Sequence, residues 1–120
     1  MSTSLQVLIL EDRPADAELM LHALRQAGFD PDWQRVETEA DYLARLDPPP
    51  EVILADYTLP EFDALRALHL LQERGLDIPL IVVTGSISEE AAVEAMKQGA
   101  ADYLLKDRLA RLGAAAANAL

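Results

Sequence analysis

Cysteine is absent from the 120-residue sequence, which excludes disulfide bonds and metal sites built on thiolates. No apolar run approaches the ~20 residues that a membrane-spanning helix requires, and the amino terminus lacks a basic and apolar secretion signal. Positive charge is also scarce, with 10 Lys and Arg against 21 Asp and Glu and a formal net charge of −11. This balance argues against direct nucleic-acid binding, which selects basic surfaces. Together these absences predict a cytoplasmic protein with no membrane partner.

Apolar residues are plentiful enough for a core, since they make up 51% of the chain. We expect residues 1–120 to form a single domain, either free-standing or as a fragment of a longer protein. His22 and His69 lie within helical patterns, so we predict that they are structural or face solvent. Trp33, Tyr42 and Phe62 are predicted to pack in the core or at its rim.

Four short apolar runs are each followed directly by one or two polar side chains. The runs cover residues 7–10, 52–55, 80–83 and 103–105, and the polar residues after them are Glu11 with Asp12, Asp56, Thr84 and Lys106. Short runs of Leu, Ile and Val without alternating polar residues are typical of strands buried on both faces of a parallel sheet. Because ligands bind outside the carboxyl ends of such strands, these polar side chains are predicted to converge on one edge.

Helix signals alternate with strand signals five times along the chain. Pro14 suits the first position of a helix that ends at Gly28, and Thr38 is placed to cap a second helix. Trp33 to Val36 is predicted as a weak second strand. The residues predicted to face inward from the five helices are Ala17, Met20, Leu21, Leu24 and Ala27; Ala40, Leu43 and Leu46; Ala64, Ala67, Leu68 and Leu71; Ala92, Ala95 and Met96; and Leu109, Leu112, Ala116 and Leu120.

This alternation predicts an α/β fold of the (βα)5 type, a doubly wound parallel sheet with helices on both faces. In the flavodoxin-like strand order 2-1-3-4-5, the switch point lies between strands one and three. Those two strands lead into Asp12 and Asp56, so the polar residues and the topology select the same crevice.

The predicted crevice crowds carboxylates together, which is unfavourable without a cation. Two carboxylates ~4 Å apart repel each other by roughly 4 kcal/mol at an effective dielectric constant near 20. Oxygen ligands without histidine or cysteine favour Mg²⁺, with Mn²⁺ as a second candidate, and such ions neutralise a transferring phosphoryl group. Asp56 is the candidate nucleophile that would carry an acyl phosphate. Asp12 would bind the metal directly and Glu11 directly or through water, while Lys106 and Thr84 would contact phosphoryl oxygens.

With these polar residues in this order along the chain, the sequence resembles the receiver domains of two-component response regulators over roughly residues 5–112. The resemblance rests on residues 11–12, on the segment 56–60, on Thr84-Gly85 and on the segment 99–106. It implies that Asp56 accepts phosphate from a histidine kinase or a histidine phosphotransfer protein. Such a phosphoacceptor assists its own phosphorylation and dephosphorylation and is not an enzyme. The backbone carbonyl of Thr58 would join Glu11, Asp12 and Asp56 around Mg²⁺.

The resemblance also implies a switch, in which Tyr103 rotates together with Thr84 and changes the face formed by helix four, strand five and helix five. A downstream effector, a kinase domain or a second copy of the chain would read that face. Two positions depart from the family pattern: Asp107 replaces a proline that often follows a cis bond, and Ala64 replaces a common glycine. We expect a trans bond before Asp107, and a fifth helix that is displaced or less firmly docked. The sequence 106–109 is most like receivers that precede sensory and histidine-kinase domains.

Three other functions would share parts of this sequence pattern. A Mg²⁺-dependent aspartyl-phosphate hydrolase of small phosphate esters would need an enclosing segment, for which 120 residues leave little room. A flavin or nucleotide module would carry Gly, Ser or Thr after the first strand, where this chain has Glu11-Asp12-Arg13-Pro14. A receiver that had lost phosphorylation would lack one or more of the site residues, and none is missing here.

Overall fold

The computed structural model describes residues 2–57, 59–60, 62–86 and 88–120. Its strands are β1 (Thr3–Leu10), β2 (Phe29–Val36), β3 (Val52–Ala55), β4 (Leu80–Thr84) and β5 (Asp102–Leu105). Its helices are α1 (Pro14–Gln26), α2 (Glu39–Ala44), α3 (Ala64–Glu73), α4 (Glu89–Lys97) and α5 (Leu112–Ala119). Within this part of the chain the strands form one parallel sheet in the order β2-β1-β3-β4-β5. The predicted flavodoxin-like topology is confirmed.

Local side-chain chemistry sets where the helices begin. Pro14 occupies an initial position of α1, where its missing N–H costs no hydrogen bond. Thr38, Asp63 and Ser88 each cap a helix by accepting a hydrogen bond from the backbone N–H three residues later, at distances of 2.9 to 3.2 Å. Helix starts therefore follow signals that are visible in the sequence.

The sheet is covered on both faces by apolar clusters. Helices α1 and α5 pack on one face, and α2, α3 and α4 pack on the other. Tyr42 is the largest fully buried side chain, and its hydroxyl donates a hydrogen bond to the Ala67 carbonyl at 3.1 Å. Its ring lies 5.0 Å from that of Phe62, whereas Trp33 stays at the rim with 37% exposure. Among the helices of the described residues, none combines the length and hydrophobicity needed to cross a bilayer.

Strand β2 is longer than the sequence pattern predicted, because it begins at Phe29 and not at Trp33. Gly28, with a φ of 96°, ends the preceding turn and lets the chain pair with β1 from the first residue onward. Eight successive residues of each strand then face one another. Polar residues are tolerated in β2 because it lies at the edge of the sheet.

Several residues predicted to face inward are exposed. Met96 is 48% exposed in α4, whose buried residue is Ala95, because that helix packs against the narrow edge strand β5. Ala27 and Leu120 are exposed because each follows the last residue of its helix and has left the helical register. Ala40 is likewise exposed, on the solvent side of the short α2.

The segment after β5 follows a trans peptide bond between Lys106 and Asp107, as a non-proline residue predicts. A single 3-10 turn over Leu109–Arg111 then leads into α5. Of the two expectations for helix five, displacement or less firm docking, the burial of Leu112 and two alanines of α5 in the same cluster as α1 contradicts the second. Gly113 lies so close to α1 that a side chain there would collide with the Cβ of Ala27. This close approach explains the firm packing.

Candidate functional site

Backbone hydrogen bonds hold the polar residues at the carboxyl edge of the sheet. The N–H of Asp56 donates to the carbonyl of Leu10 at 3.0 Å, and that of Lys106 donates to the carbonyl of Thr84 at 2.8 Å. The N–H of Glu11 donates to the end of β2 at 3.1 Å. The ladder thus continues past the strand ends, so these residues have little freedom to move relative to one another.

Three predicted metal ligands come together at this edge. One oxygen each from Glu11, Asp12 and Asp56 can be chosen so that all lie within 4.8 Å of one another. Glu11 is completely buried, Asp56 is 5% exposed and Asp12 is exposed, so the cluster opens to solvent through Asp12. The fourth predicted ligand, Thr58, lies outside the described residues.

Glu11 carries the most deeply buried carboxyl group of the cluster. Its Oε1 accepts a hydrogen bond from the N–H of Arg13 at 3.1 Å. Its buried Oε2 has no aligned hydrogen-bond partner among the residues that the structure describes, although the ammonium of Lys106 lies 2.8 Å away. Burial raises the pKa of Glu11 to about 7, against hydrogen bonds that favour the charged form.

Lys106 is the cation of the site. Its Nζ lies 2.8 Å from each of three carboxylate oxygens: Oε2 of Glu11, Oδ2 of Asp16 and Oδ2 of Asp56. Burial lowers the pKa of Lys106, but the contacts of its ammonium with the carboxylates of Asp16, Asp56 and Glu11 outweigh it and raise the pKa above its usual value. The ammonium therefore stays charged next to Asp56 and neutralises part of the crowded acidic group.

Asp16 is a site residue that sequence reasoning missed. It lies in the first turn of α1, where an acidic residue is ordinarily explained by the helix dipole. The available signal was Pro14, which marks the helix start and thereby places Asp16 one turn from the acidic pair at the sheet edge.

The other side of Asp56 is built from a hydroxyl and two aromatic rings. Thr84 is buried, with 1% exposure, at the end of β4. The hydroxyl of Tyr103 donates to the Ser86 carbonyl at a long 3.5 Å, and its ring meets that of Tyr57 edge-on at 6.3 Å. Burial raises the pKa of Tyr103. Tyr57, which follows Asp56 directly, was not singled out in the sequence.

Both histidines are exposed on helices, in accord with the predicted structural or solvent-facing roles. His22 is exposed on α1, and His69 on α3 shares a 2.8 Å hydrogen bond with the side chain of Gln98. Arg35 at the end of β2 adds a support that the sequence did not suggest, because its guanidinium donates to the backbone carbonyl of Glu11 at 3.1 Å.

The donor set is suited to a hard divalent cation. Carboxylate oxygens are the preferred ligands of Mg²⁺ and Mn²⁺, and the three grouped here lie close enough to share one ion. The buried Oε2 of Glu11, which lacks an aligned hydrogen bond within the described residues, is an acceptor that such an ion would satisfy. Beside it, Asp56 presents a carboxylate to an ammonium, an arrangement able to receive an anionic phosphoryl group.

Comparison with known proteins identifies a matching family. The sequence model described as "Response regulator receiver domain" matches residues 7–117. The phosphate regulon transcriptional regulatory protein PhoB of Klebsiella pneumoniae is 34% identical over 107 residues, which are 84% of this chain and 44% of that protein. The chain thus spans less than half the length of this curated relative.

Solved structures of two further proteins are similar in sequence and shape. The Mn²⁺-bound form of response regulator Rcp1 is 25% identical, with a TM-score of 0.75 over 92% of this chain and 90% of that one. The signal receiver domain of a signal transduction histidine kinase from Syntrophus aciditrophicus is also 25% identical, with a TM-score of 0.75 over 97% of this chain and 89% of that one.

Proposed function

The chain belongs to the response regulator receiver domain family of two-component systems, and on that premise we propose that Asp56 accepts a phosphoryl group from a phosphohistidine. The observation that carries this proposal is the ammonium of Lys106, 2.8 Å from the Asp56 carboxylate in a nearly buried position at the sheet edge. The donor would be a histidine kinase or a histidine phosphotransfer protein, in the cytoplasm. Residues 1–120 would act as one receiver unit.

We propose Mg²⁺ as the cofactor, with Mn²⁺ as an alternative that Rcp1 is known to accept. Glu11, Asp12, Asp56 and the backbone carbonyl of Thr58 would hold the ion. When bound, it would neutralise negative charge on the transferring phosphoryl group. The close grouping of the first three carboxylates supports this assignment.

Asp56, Lys106 and Thr84 would each have a separate role in the phosphoryl transfer. A carboxylate oxygen of Asp56 would form the new bond to phosphorus while the phosphorus–nitrogen bond of the donor breaks and its electron pair returns to that ring nitrogen. A proton carried on the other ring nitrogen of the phosphohistidine would make the departing imidazole neutral. The ammonium of Lys106 would turn its N–H groups from Glu11 and Asp56 to the phosphoryl oxygens. Thr84 would donate its hydroxyl hydrogen to the same group from the opposite side.

We propose that the output follows from the movement of Thr84 toward the phosphoryl group. Space vacated under α4 would admit the ring of Tyr103, whose hydroxyl makes a long hydrogen bond to the Ser86 carbonyl and whose ring meets that of Tyr57 edge-on. The face formed by α4, β5 and α5 would change shape, and the exposed Val93 and Met96 would belong to the altered surface. An effector, a kinase domain of a longer protein or a second copy of the chain would read that face.

Incubation with acetyl phosphate and Mg²⁺ tests the phosphoacceptor role. We expect one labile phosphoryl addition by mass spectrometry, lost in Asp56→Asn and retained in the control Asp30→Asn, which removes an exposed carboxylate from the amino end of β2. Modification of Asp56→Asn at the same rate would show that the acceptor is elsewhere. Steady release of inorganic phosphate from small phosphate esters, without an accumulated acyl phosphate, would favour the hydrolase reading instead.

A further inference from the structure

Asp16 makes a contact that the proposed phosphotransfer does not explain. Its Oδ2 lies 2.8 Å from the Nζ of Lys106, across 90 residues of sequence, and the bond is partly buried. Asp16 stands outside the group of three carboxylates that could share a metal ion. Among the residues that the structure describes, Lys106 is the member of the predicted metal and phosphoryl set that Asp16 contacts.

The ordinary role of an acidic residue in a first helical turn does not account for this geometry. In a capping box Asp16 would accept a hydrogen bond from the N–H of Arg13, the residue before α1. That N–H instead donates to Glu11, which leaves the Asp16 carboxylate available to Lys106. The side chain of Arg13 is 75% exposed and its Nε lies 3.9 Å from Asp16, so this pair is weak.

The ammonium of Lys106 faces three carboxylates: it donates hydrogen bonds to Asp16 and Asp56 and forms an ion pair with Glu11. Metal binding and phosphorylation would engage two of them, Glu11 and Asp56. Asp16 is the partner that remains, and without it a flexible lysine side chain would have no fixed direction. Because the ammonium bridges Asp16 and Asp56, its charge also screens Asp16 from a phosphoryl group on Asp56.

We propose that Asp16 is a positioning residue that holds the Lys106 ammonium beside Asp56 before, during and after phosphorylation. It contacts neither phosphorus nor metal and acts through Lys106 alone. This inference rests on the proposed function and deepens it, by assigning the preorganisation of the lysine to the first turn of α1.

The test compares Asp16→Asn with Glu18→Gln, which removes the same charge from an exposed position of the same helix. With acetyl phosphate and saturating Mg²⁺, we expect Asp16→Asn to be phosphorylated about tenfold more slowly, equivalent to ~1.4 kcal/mol of activation free energy. Glu18→Gln should match the wild type. Asp16→Glu should recover part of the rate, since it keeps the carboxylate.

A double-mutant experiment distinguishes a role of Asp16 in positioning Lys106 from a role in the stability of the fold. In a Lys106→Met background, Asp16→Asn should cause no further loss of rate, because the residue through which it acts is gone. A loss of equal size in both backgrounds would reveal a purely structural role and overturn the proposal. A rate for Asp16→Asn equal to or above that of the wild type would also overturn it.

A third measurement does not depend on phosphorylation. By ¹⁵N NMR, the ammonium protons of Lys106 should exchange with water faster in Asp16→Asn than in Glu18→Gln. Equal exchange rates would contradict the proposal that Asp16 holds the ammonium in place. If the wild type were not phosphorylated on Asp56 at all, the proposed function and this role would both fail. A phosphorylated wild type with an unaffected Asp16→Asn would overturn only the role of Asp16.

Discussion

The two sides of Asp56 are built differently. On the lysine side, formed by Glu11, Asp16 and Lys106, the ammonium lies 2.8 Å from each carboxylate that it contacts. On the threonine side, formed by Thr84, Tyr103 and α4, the hydrogen bond from the Tyr103 hydroxyl is 3.5 Å long. Helix α4 has Ala95 as its buried residue and leaves two large apolar side chains in solvent.

This difference indicates that the two sides of Asp56 have different functions. Short, charge-assisted and partly buried hydrogen bonds are strong and keep a geometry fixed. Elements with few buried apolar contacts open at low free energy, and moving parts of proteins are drawn from them. We therefore assign the chemistry to the lysine side and the response to the threonine side.

The largest expected effect comes from breaking the lysine side with Lys106→Met. Loss of the ammonium removes the direct cation for the phosphoryl oxygens, so acetyl phosphate should modify Asp56 about a hundredfold more slowly. Affinity for Mg²⁺ should rise, because Nζ lies 2.8 Å from Glu11 and Asp56 and competes with the ion for both. Lys97→Met, an exposed change in α4, is the control.

Mass spectrometry gives the rate, and calorimetric titration gives the Mg²⁺ affinity. An unchanged rate together with weakened metal binding would show that Lys106 belongs to the metal site and not to phosphoryl binding.

An effect of similar size should follow from the metal itself. Mg²⁺ at ~100 times its dissociation constant should add about 2.7 kcal/mol to the free energy of unfolding, because only the folded chain groups the carboxylates. Chemical denaturation with and without EDTA measures this difference. Asp12→Asn should remove most of it and Asp30→Asn should not; identical unfolding curves in the wild type would argue against the site.

Removal of the hydroxyl on the threonine side should matter less. Thr84→Ala deletes one hydrogen bond to the phosphoryl group, so we expect phosphorylation to slow about tenfold, which corresponds to ~1.4 kcal/mol. Thr84→Ser keeps the hydroxyl and should retain most of the rate. An effect of Thr84→Ala larger than that of Lys106→Met would contradict the assignment of chemistry to the lysine side.

The smallest effect is expected for Tyr103→Phe. Its hydroxyl makes a long 3.5 Å bond to the Ser86 carbonyl, so the free energy of unfolding should fall by no more than about 0.5 kcal/mol. Tyr42→Phe is the contrasting control, because its buried hydroxyl bonds to Ala67 at 3.1 Å and should contribute about 1 kcal/mol. Equal losses in denaturant titrations would mean that the threonine side is held as firmly as the core.

Sequence patterns predicted the strand ends well and the helix surfaces less well. Apolar runs that stop at polar residues located Glu11, Asp56, Thr84 and Lys106, because strands buried on both faces of a parallel sheet are mostly continuous apolar runs. Helical periodicity named Met96 as an inward residue, yet it is 48% exposed. Periodicity identifies an apolar face but not the width of sheet available to cover it.

The start of β2 and the docking of α5 were decided by long-range partners. Phe29 joins the sheet because it pairs with Thr3, a contact between segments that no local window contains. Gly113 allows α5 to approach Ala27. The sequence shows that residue 113 is a glycine, but it does not show that Ala27 packs against it. Both features depend on which segments meet, and local propensity carries little information about that.

By itself, the sequence determined the alternation of strands and helices, their parallel order and the set of polar residues at one edge of the sheet. The tertiary structure alone decided how those polar groups pair. One ammonium with three donors must choose among the carboxylates within its reach. The packing of α1 brings Asp16 within 2.8 Å of Lys106, whereas Asp12, though closer in sequence to Glu11, remains exposed. Distance in the folded chain, and not order in the sequence, sets which charges interact, because electrostatic attraction depends on separation and burial.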